Sequence, residues 1–489
     1  MLWGQGRPAT VGRGAIAVAA LAVVTAVVPV VASELPVVRG AGVRGAPVRG
    51  TSTLNMALIQ AYQNNPQLNA QRAATRAVDE NVSIALGGYR PRVAGTTSLS
   101  QVHIDNVSRG QIENTRSVGG RTVTTLGVTA TQTLFNGFQT GNRTRQAEAL
   151  VFASRETLRS AEQTVLLNAV TAYMNLLRDL AILELQNSNI AVLEATLQQT
   201  RDRFNVGEVT RTDVAQSESS LAAGRSSQLT AESNVVTSRA QYRQVIGVDA
   251  GRLTAAMPVD RLSPRTLSGA RARARTEHPT ITTAAYNVDA AVFQVKIAEG
   301  ALYPTLSLQG AAQKQWNSAN SLVPLESLSA SVTTQLSVPI YQGGGEYATI
   351  RQAKETLGQR RLDLDTARDQ VDSIVAQAWG QLQAAKAQIE ATQAQVSASE
   401  IALNGVREEA RVGQRTTLDV LNAQQALVNA RVSLVTAQRD RVVASYNVLA
   451  ASGGLSPRIL GLGVSTYDPM VHYQQVRDSW YGVRVPDGR

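Results

Sequence analysis

The 489-residue chain is only 4% aromatic and has no cysteine, which excludes disulfides, zinc-thiolate and iron–sulfur sites, cysteine nucleophiles and a lipid-modified N-terminal cysteine. The formal charge is +10, or about +8 without Arg7 and Arg13. The arginines are interleaved with acids on helical patterns, except within 39–49 and 261–275, and the chain reads as exported, so nucleic acid is excluded as a partner.

Residues 1–32 read as a signal peptide. Arg7 and Arg13 precede an apolar run from Ala15 to Val31, and Ala32 supplies a small residue at the cut. The run of about 17 residues is at the short edge for a spanning helix, so cleavage is the reading taken. No later segment approaches 18 apolar residues, so no further transmembrane helix is expected and any crossing must use strands. Residues 33–50, with "VVRGAGVRGAPVRG", read as a disordered linker.

The remainder is a duplication. Residues 51–247 form a first unit: a helix, a β-hairpin over 92–135 and a long helical hairpin over 143–246. Residues 248–278 connect it to a second unit, 279–453, with a helix, a β-hairpin over 305–341 and a helical hairpin over 346–452. Residues 454–489 form a tail. "LFNGFQTGNRTRQAEA" at Leu134 matches "IYQGGGEYATIRQAKE" at Ile340, an offset of 206 residues, whereas Pro66 matches Pro279 at an offset of 213. The seven-residue difference (213 − 206) falls between Pro91 and Gly137, where a loop is expected.

Within each hairpin the period is two. Leu328, Ala330, Val332, Leu336, Val338 and Ile340 alternate with Ser, Thr, Gln and Pro, broken only at Thr334; Leu126, Val128, Ala130 and Leu134 alternate with threonines. Strands of about 10 residues with one apolar face suit a transmembrane barrel. Polar loops are expected from Ser108 and from Asn317. Tyr89, Phe135, Tyr303 and Tyr341 fall where strands meet helices, as a membrane-interface belt would; ordinary packing at the junction would look the same. Four strands per chain cannot close a bilayer barrel, for which about eight is the minimum, so copies must join, and three would supply 12 (3 × 4).

Residues 145–205 and 351–411 contain no proline and predict helices of roughly 90 Å. Val165, Leu166, Ala169, Val170, Tyr173, Leu176 and Leu177 form an apolar stripe on the first. Each helix ends in the same design: "NVGEVTRTDV" and "RVGQRTTLDVLNA". Gly207 and Gly413 suit the left-handed position after a helix. Thr210 and Thr416 suit N-caps, with Asp213 and Asp419 three residues on as a variant capping box.

Catalysis finds little support. His103, His278 and His472 have no His or carboxylate at ligand spacing, and the glycines at 343–345 lack the Lys-Ser/Thr of a phosphate loop. Neither a metal nor a cofactor is expected. A periplasmic coiled-coil adaptor or scaffold is the alternative, but no lipoyl-like β domain is visible beside the hairpins.

The duplicated unit, "LFNGFQTGNRTRQAEA", "EQTVLLNAVTAYMNLLRD" and the two turns resemble the TolC-like outer-membrane efflux and secretion channels from about Thr51 to Ser456; "YDPMVHYQQVRDSWYG" is similar to their alphaproteobacterial branch. The resemblance implies a homotrimer whose 12-stranded barrel spans the outer-membrane lipid and continues into a periplasmic α-helical coiled-coil barrel. Its implied partners are a periplasmic adaptor and an inner-membrane ABC or RND transporter, in a tripartite efflux pump or type I secretion system with passive conduction. It implies that the turns form the periplasmic mouth. Arg415 matches the arginine that ties the inner hairpin to its neighbour, Thr212 and Asp213 its acceptors, and Asp419 a carboxylate ring at the constriction. Val206-Gly207 and Val412-Gly413 match adaptor-docking turns. Asn422 stands where a second ring aspartate is often found, which implies weaker cation selectivity. Ala410 stands where an aromatic partner can occur, which implies fewer ties in the closed state.

Overall fold

The computed structural model describes residues 51–109, 114–318 and 325–486. The expected signal peptide and linker lie outside the described residues, as do the two hairpin tips, 110–113 and 319–324.

The elements follow in chain order. They are β1 (Thr51–Ser52), α1 (Leu54–Asn64), α2 (Pro66–Leu86), β2 (Arg92–Arg109), β3 (Asn114–Asn136), α3 (Gln139–Asn205) and α4 (Arg211–Ile246). There follow β4 (Arg252–Leu253), α5 (Leu267–Glu277), α6 (Pro279–Gly300), β5 (Thr305–Asn317), β6 (Glu326–Ser337), α7 (Gly345–Arg411), α8 (Thr417–Ala451) and α9 (Pro469–Val476).

The duplication reaches further back than the sequence match. Helix α5, within the segment read as a connection, repeats α1 at the 213 offset, each with 11 residues and a threonine N-cap, Thr53 and Thr266. The next pair starts alike. Asn65 caps α2 by accepting from the amides of Gln67 at 2.9 Å and Leu68 at 3.2 Å. His278 caps α6 through Nδ1, which accepts from the Thr280 amide at 3.3 Å. Each cap precedes a proline at the first helical position, where its missing N–H costs nothing.

Helices α3 and α7 have 67 residues each, about 100 Å of helix. Helix α3 packs against α4, α6 and α8, and α7 against α6 and α8. The apolar stripe expected on α3 lies in the main core: Leu166, Tyr173 and Leu176 are fully buried with Leu58, Leu68, Tyr242, Ile246 and Leu449. Each such leucine stabilises by about 1.5–3 kcal/mol. A second core joins Ala270 and Ala274 of α5 to Val371, Val375, Ala378 and Leu382 of α7 and Val448 of α8, where small side chains let the helices approach closely. The Tyr173 hydroxyl lies 2.8 Å from the Ser52 carbonyl and 2.7 Å from the Thr254 carbonyl, pinning the parallel pair β1–β4.

Helix α3 is long and apolar enough to cross a membrane by length and composition alone. Half of its most apolar 18 residues are buried within the chain, as in a core helix.

The four long strands form one antiparallel sheet in the order β2-β3-β5-β6. Two expectations about it need correction. The loop expected from Ser108 is largely strand, because β2 and β3 pair from Arg92↔Thr131 to Arg109↔Asn114, while β5 stops opposite Val123. The longer first hairpin therefore extends as a ribbon past the four-stranded sheet. The last strand, expected to run through Tyr341, ends at Ser337, since Pro339 has no N–H to continue a ladder.

The strand-to-helix turns carry the glycine motif. Gly137 and Phe138 have φ of 63° and 60°, and their repeat partners Gly343 and Gly344 have 73° and 82°. A Cβ on Gly137 would lie 2.2 Å from the Gly300 carbonyl oxygen, so only glycine lets α6 pass this turn.

Helix α9 docks on α2 through a buried pair: His472 Nδ1 lies 3.0 Å from Asp79 Oδ2, with both side chains about 1% exposed. Burial raises the Asp79 carboxyl above its usual range, against the opposing hydrogen bond from His472.

Candidate functional site

Two places in the fold carry the features expected to matter: the tips of the helical hairpins and the faces of the sheet.

The tips are near copies. After α3 the amides of Gly207 and Glu208 donate to the carbonyls of Phe204 and Arg203, both at 2.9 Å; after α7 those of Gly413 and Gln414 donate to Ala410 and Glu409, at 3.2 and 2.9 Å. Gly207 and Gly413 both have φ 77°, the left-handed residue that this helix ending requires. Both capping boxes are complete. Asp213 Oδ2 accepts from the Thr210 amide at 2.9 Å, Asp419 Oδ2 accepts from the Thr416 amide at 3.0 Å, and each threonine hydroxyl accepts the aspartate amide in return. Such a cap is worth about 1 kcal/mol. Val206 and Val412 project beside their glycines, 72% and 67% exposed.

Arg415 Nε donates to Glu409 Oε2 of its own hairpin at 2.8 Å, so within the chain it does not meet Thr212 or Asp213, and Thr212 makes no side-chain hydrogen bond among the described residues. The Asp419 carboxyl is held below its usual range, first by the capping bonds from Thr416 and last by the Arg415 charge. Asn422 is exposed, one residue beyond Leu421, which is buried with Leu193, Leu197 and Leu221 of the first hairpin. One turn further along α8, Gln424 Nε2 donates to Asn189 Oδ1 of α3 at 3.2 Å, and Gln424 Oε1 accepts from Arg407 of α7 at 3.0 Å. This tie between hairpins is invisible in sequence, where its partners lie 235 residues apart.

The sheet register places Val93, Leu126, Val128, Ala130, Leu306, Leu308, Ala312, Leu328, Ala330, Val332 and Leu336 on one face. Leu328 and Val332 are 77% and 78% exposed, so nothing among the described residues covers that face. A bulge at Leu134 returns Phe135 to it, opposite Leu306. From Ala94 and Ser307 to Gln315 and Ser327 the other face carries hydroxyl, amide and small side chains and no charge.

Aromatic residues mark the helix-proximal end of the apolar face. Phe135 meets Phe138 edge-on at 5.2 Å, and Phe138 meets Tyr303 at 6.5 Å. Tyr89 lies in the turn before β2, and Tyr341, four residues past the end of β6, is 80% exposed. Phe138 was not singled out by the sequence pattern, although it follows the glycine of the repeated motif. At the far end Lys314 pairs with Glu326 at 3.1 Å and lies over Trp316 at 5.0 Å. Leu306 and Lys314 are eight residues apart on this face, about 26 Å along the strand, which approximates the apolar height of a bilayer barrel, about 25 Å.

A sheet with one bare apolar face and one uncharged polar face, set on two long helical hairpins with matched capped tips, defines a membrane channel of mixed strand and helix construction. The chain belongs to the outer membrane efflux protein family, whose sequence model matches residues 57–248 and 270–454. It is 43% identical over 439 residues to the outer membrane efflux protein BepC of Brucella suis, covering 90% of this chain and 93% of that one. It is 26% identical over 441 residues to the outer membrane protein TolC of Escherichia coli, covering 85% and 86%. The fold resembles that of the Campylobacter jejuni CmeC outer membrane channel, with a TM-score of 0.72 at 16% identity over 87% of this chain and 89% of that one. The protein is therefore an outer-membrane efflux or secretion channel with a periplasmic extension, and the coiled-coil adaptor alternative is set aside.

Proposed function

We propose that three copies join their sheets edge to edge into a 12-stranded barrel (3 × 4) and stack their hairpins into one helical tube. The observation that carries this reading is the open four-stranded sheet with its apolar face uncovered. Lipid cannot satisfy the free edges of β2 and β6, and closure of a ring of sheets does. The uncharged polar faces then line the pore, which suits passive conduction of varied solutes. Phe135, Phe138, Tyr303, Tyr89 and Tyr341 lie toward the periplasmic leaflet, and Trp316 and Lys314 toward the outer one.

The tips form the periplasmic mouth. Arg415, Asp419 and Asn422 of the second hairpin face the constriction, with Thr212 and Asp213 of the first hairpin as counterparts across an interface. Val206-Gly207 and Val412-Gly413, exposed around the rim, are the docking turns for a periplasmic adaptor that links the channel to an inner-membrane ABC or RND transporter. The chain does no chemistry on its cargo.

Single-channel recording in planar bilayers tests the gate. Arg415→Ala is expected to raise conductance several-fold. Glu409→Gln, which removes only the partner within the hairpin, is expected to change it less. Equal conductance of Arg415→Ala and the parent would remove Arg415 from the gate.

A further inference from the structure

Beyond α9 the described chain runs along the body before its side chains leave it. Arg477 pairs with Glu148 of α3 at 3.5 Å. Glu148 lies nine residues below the start of that helix, about 14 Å along its axis. Two residues later the chain lies beside the last turn of α2: the Ser479 carbonyl accepts from the Ser83 hydroxyl at 3.4 Å and from Arg90 Nη1 at 2.5 Å. The Arg90 guanidinium lies 4.8 Å from the ring centre of Trp480. Ser83 lies in the last turn of α2 and the long Arg90 side chain reaches down from two residues before β2, so the segment is held just below the aromatic end of the apolar face.

From that point the side chains leave the protein. Trp480, Tyr481, Val483 and Val485 are 66%, 93%, 100% and 75% exposed. Four exposed apolar residues within six positions, at a fixed height on an outer-membrane protein, call for a covering medium. From Arg477 to Pro486 the charges are Arg477, Asp478 and Arg484, one net positive.

We propose that the C-terminal segment 479–486 lies in the phospholipid interface of the periplasmic leaflet, with Trp480, Tyr481, Val483 and Val485 in the acyl boundary and Arg484 against lipid phosphate. The proposal rests on the reading that the sheet's apolar face meets lipid. Three observations support it: the segment is tethered just below the sheet's aromatic end, its exposed rings are the residue types that prefer a membrane–water interface, and the cation among its described residues, Arg484, suits an anionic headgroup. Helix α9 and its buried Asp79–His472 pair act as the anchor that sets the height of the segment.

Because the chain has no cysteine, single cysteines report cleanly. Val483→Cys, Leu328→Cys on the apolar sheet face and Ser226→Cys on the exposed side of α4 would each be nitroxide-labelled in the full-length channel. The protein would be reconstituted in vesicles of phosphatidylethanolamine and phosphatidylglycerol, and collisions with oxygen compared with those of a water-soluble nickel chelate. The expected result is a label at 483 that matches 328, with at least a several-fold higher oxygen-to-nickel ratio than 226. A label at 483 that matches 226 overturns the proposal, and so does one shielded from both reagents, which means burial against a second copy. A water-exposed label at 328 would overturn the reading of the sheet and this inference with it.

Discussion

Gln424 of the second hairpin donates its side-chain amide to Asn189 of the first at 3.2 Å, with both side chains buried. It is the cross-hairpin hydrogen bond lying nearest the tips among the described residues, and Leu421, one turn below, fills the Leu193–Leu197–Leu221 pocket beside it. If the mouth opens by moving one hairpin against the other, this contact must break. A buried hydrogen bond is worth about 1 kcal/mol, so Gln424→Ala and Asn189→Ala should each raise the open population about five-fold. Their double variant should add little, because both remove one interaction. Bilayer conductance measures this, and fully additive effects would show that the two residues act separately.

Asp213 and Asp419 separate capping from selectivity. Both complete a capping box, so Asp213→Ala and Asp419→Ala should each lower the melting temperature slightly. Only Asp419→Ala should reduce cation preference in reversal-potential measurements, because the proposed constriction ring is formed by Asp419 and not by Asp213. The capping bonds lower the folded pKa of Asp419. Its charge is therefore present above the ordinary carboxylate range and lost only as pH falls through the depressed value. Cation preference should persist at pH 5 and fade in stronger acid. Equal loss from both variants would tie the preference to tip geometry and not to charge.

His278 should make the stability of the protein fall in mild acid. Burial, helped by the nearby Arg159, lowers its pKa from 6.5 to about 4. Between those values the unfolded chain binds the proton and the folded one does not, so unfolding free energy rises with pH through this window and is lost on acidification. After allowance for partial exposure the effect is on the order of 1 kcal/mol per chain. His278→Asn installs the cap that Asn65 provides in the first copy, and should flatten melting temperature between pH 6.5 and 4. An unchanged slope would assign the acid sensitivity to other groups.

The features legible in the sequence were those set by local chemistry. The helix ends at Gly207 and Gly413 and the caps at Thr210 and Thr416 follow from backbone preferences over a few residues, and the offset of 206 doubled the signal. The apolar stripe from Val165 to Leu176 fixed which face of α3 is core. What stayed hidden depends on pairing at long range. The ends of β2 and β3 are set by their register, which polar residues from Ser108 onward satisfy as well as apolar ones. The bulge that turns Phe135 to the apolar face and the Asn189–Gln424 contact leave no periodic mark. Helix α5 was missed because its buried residues are two alanines among arginines, a weak apolar signal that only the matching cap at Thr266 could have strengthened.

The equal 67-residue spans of α3 and α7 make the pair a measuring rod with two legs. Adding one residue to a single leg would push its tip about 1.5 Å beyond the other and swing it through about 100°. In the proposed tube the rim would then be neither flush nor correctly oriented. Length can drift only when both copies change together, in steps near seven residues that restore the facing seam. Anyone refitting this conduit to a deeper or shallower envelope would have to splice matched heptads into both arms at once.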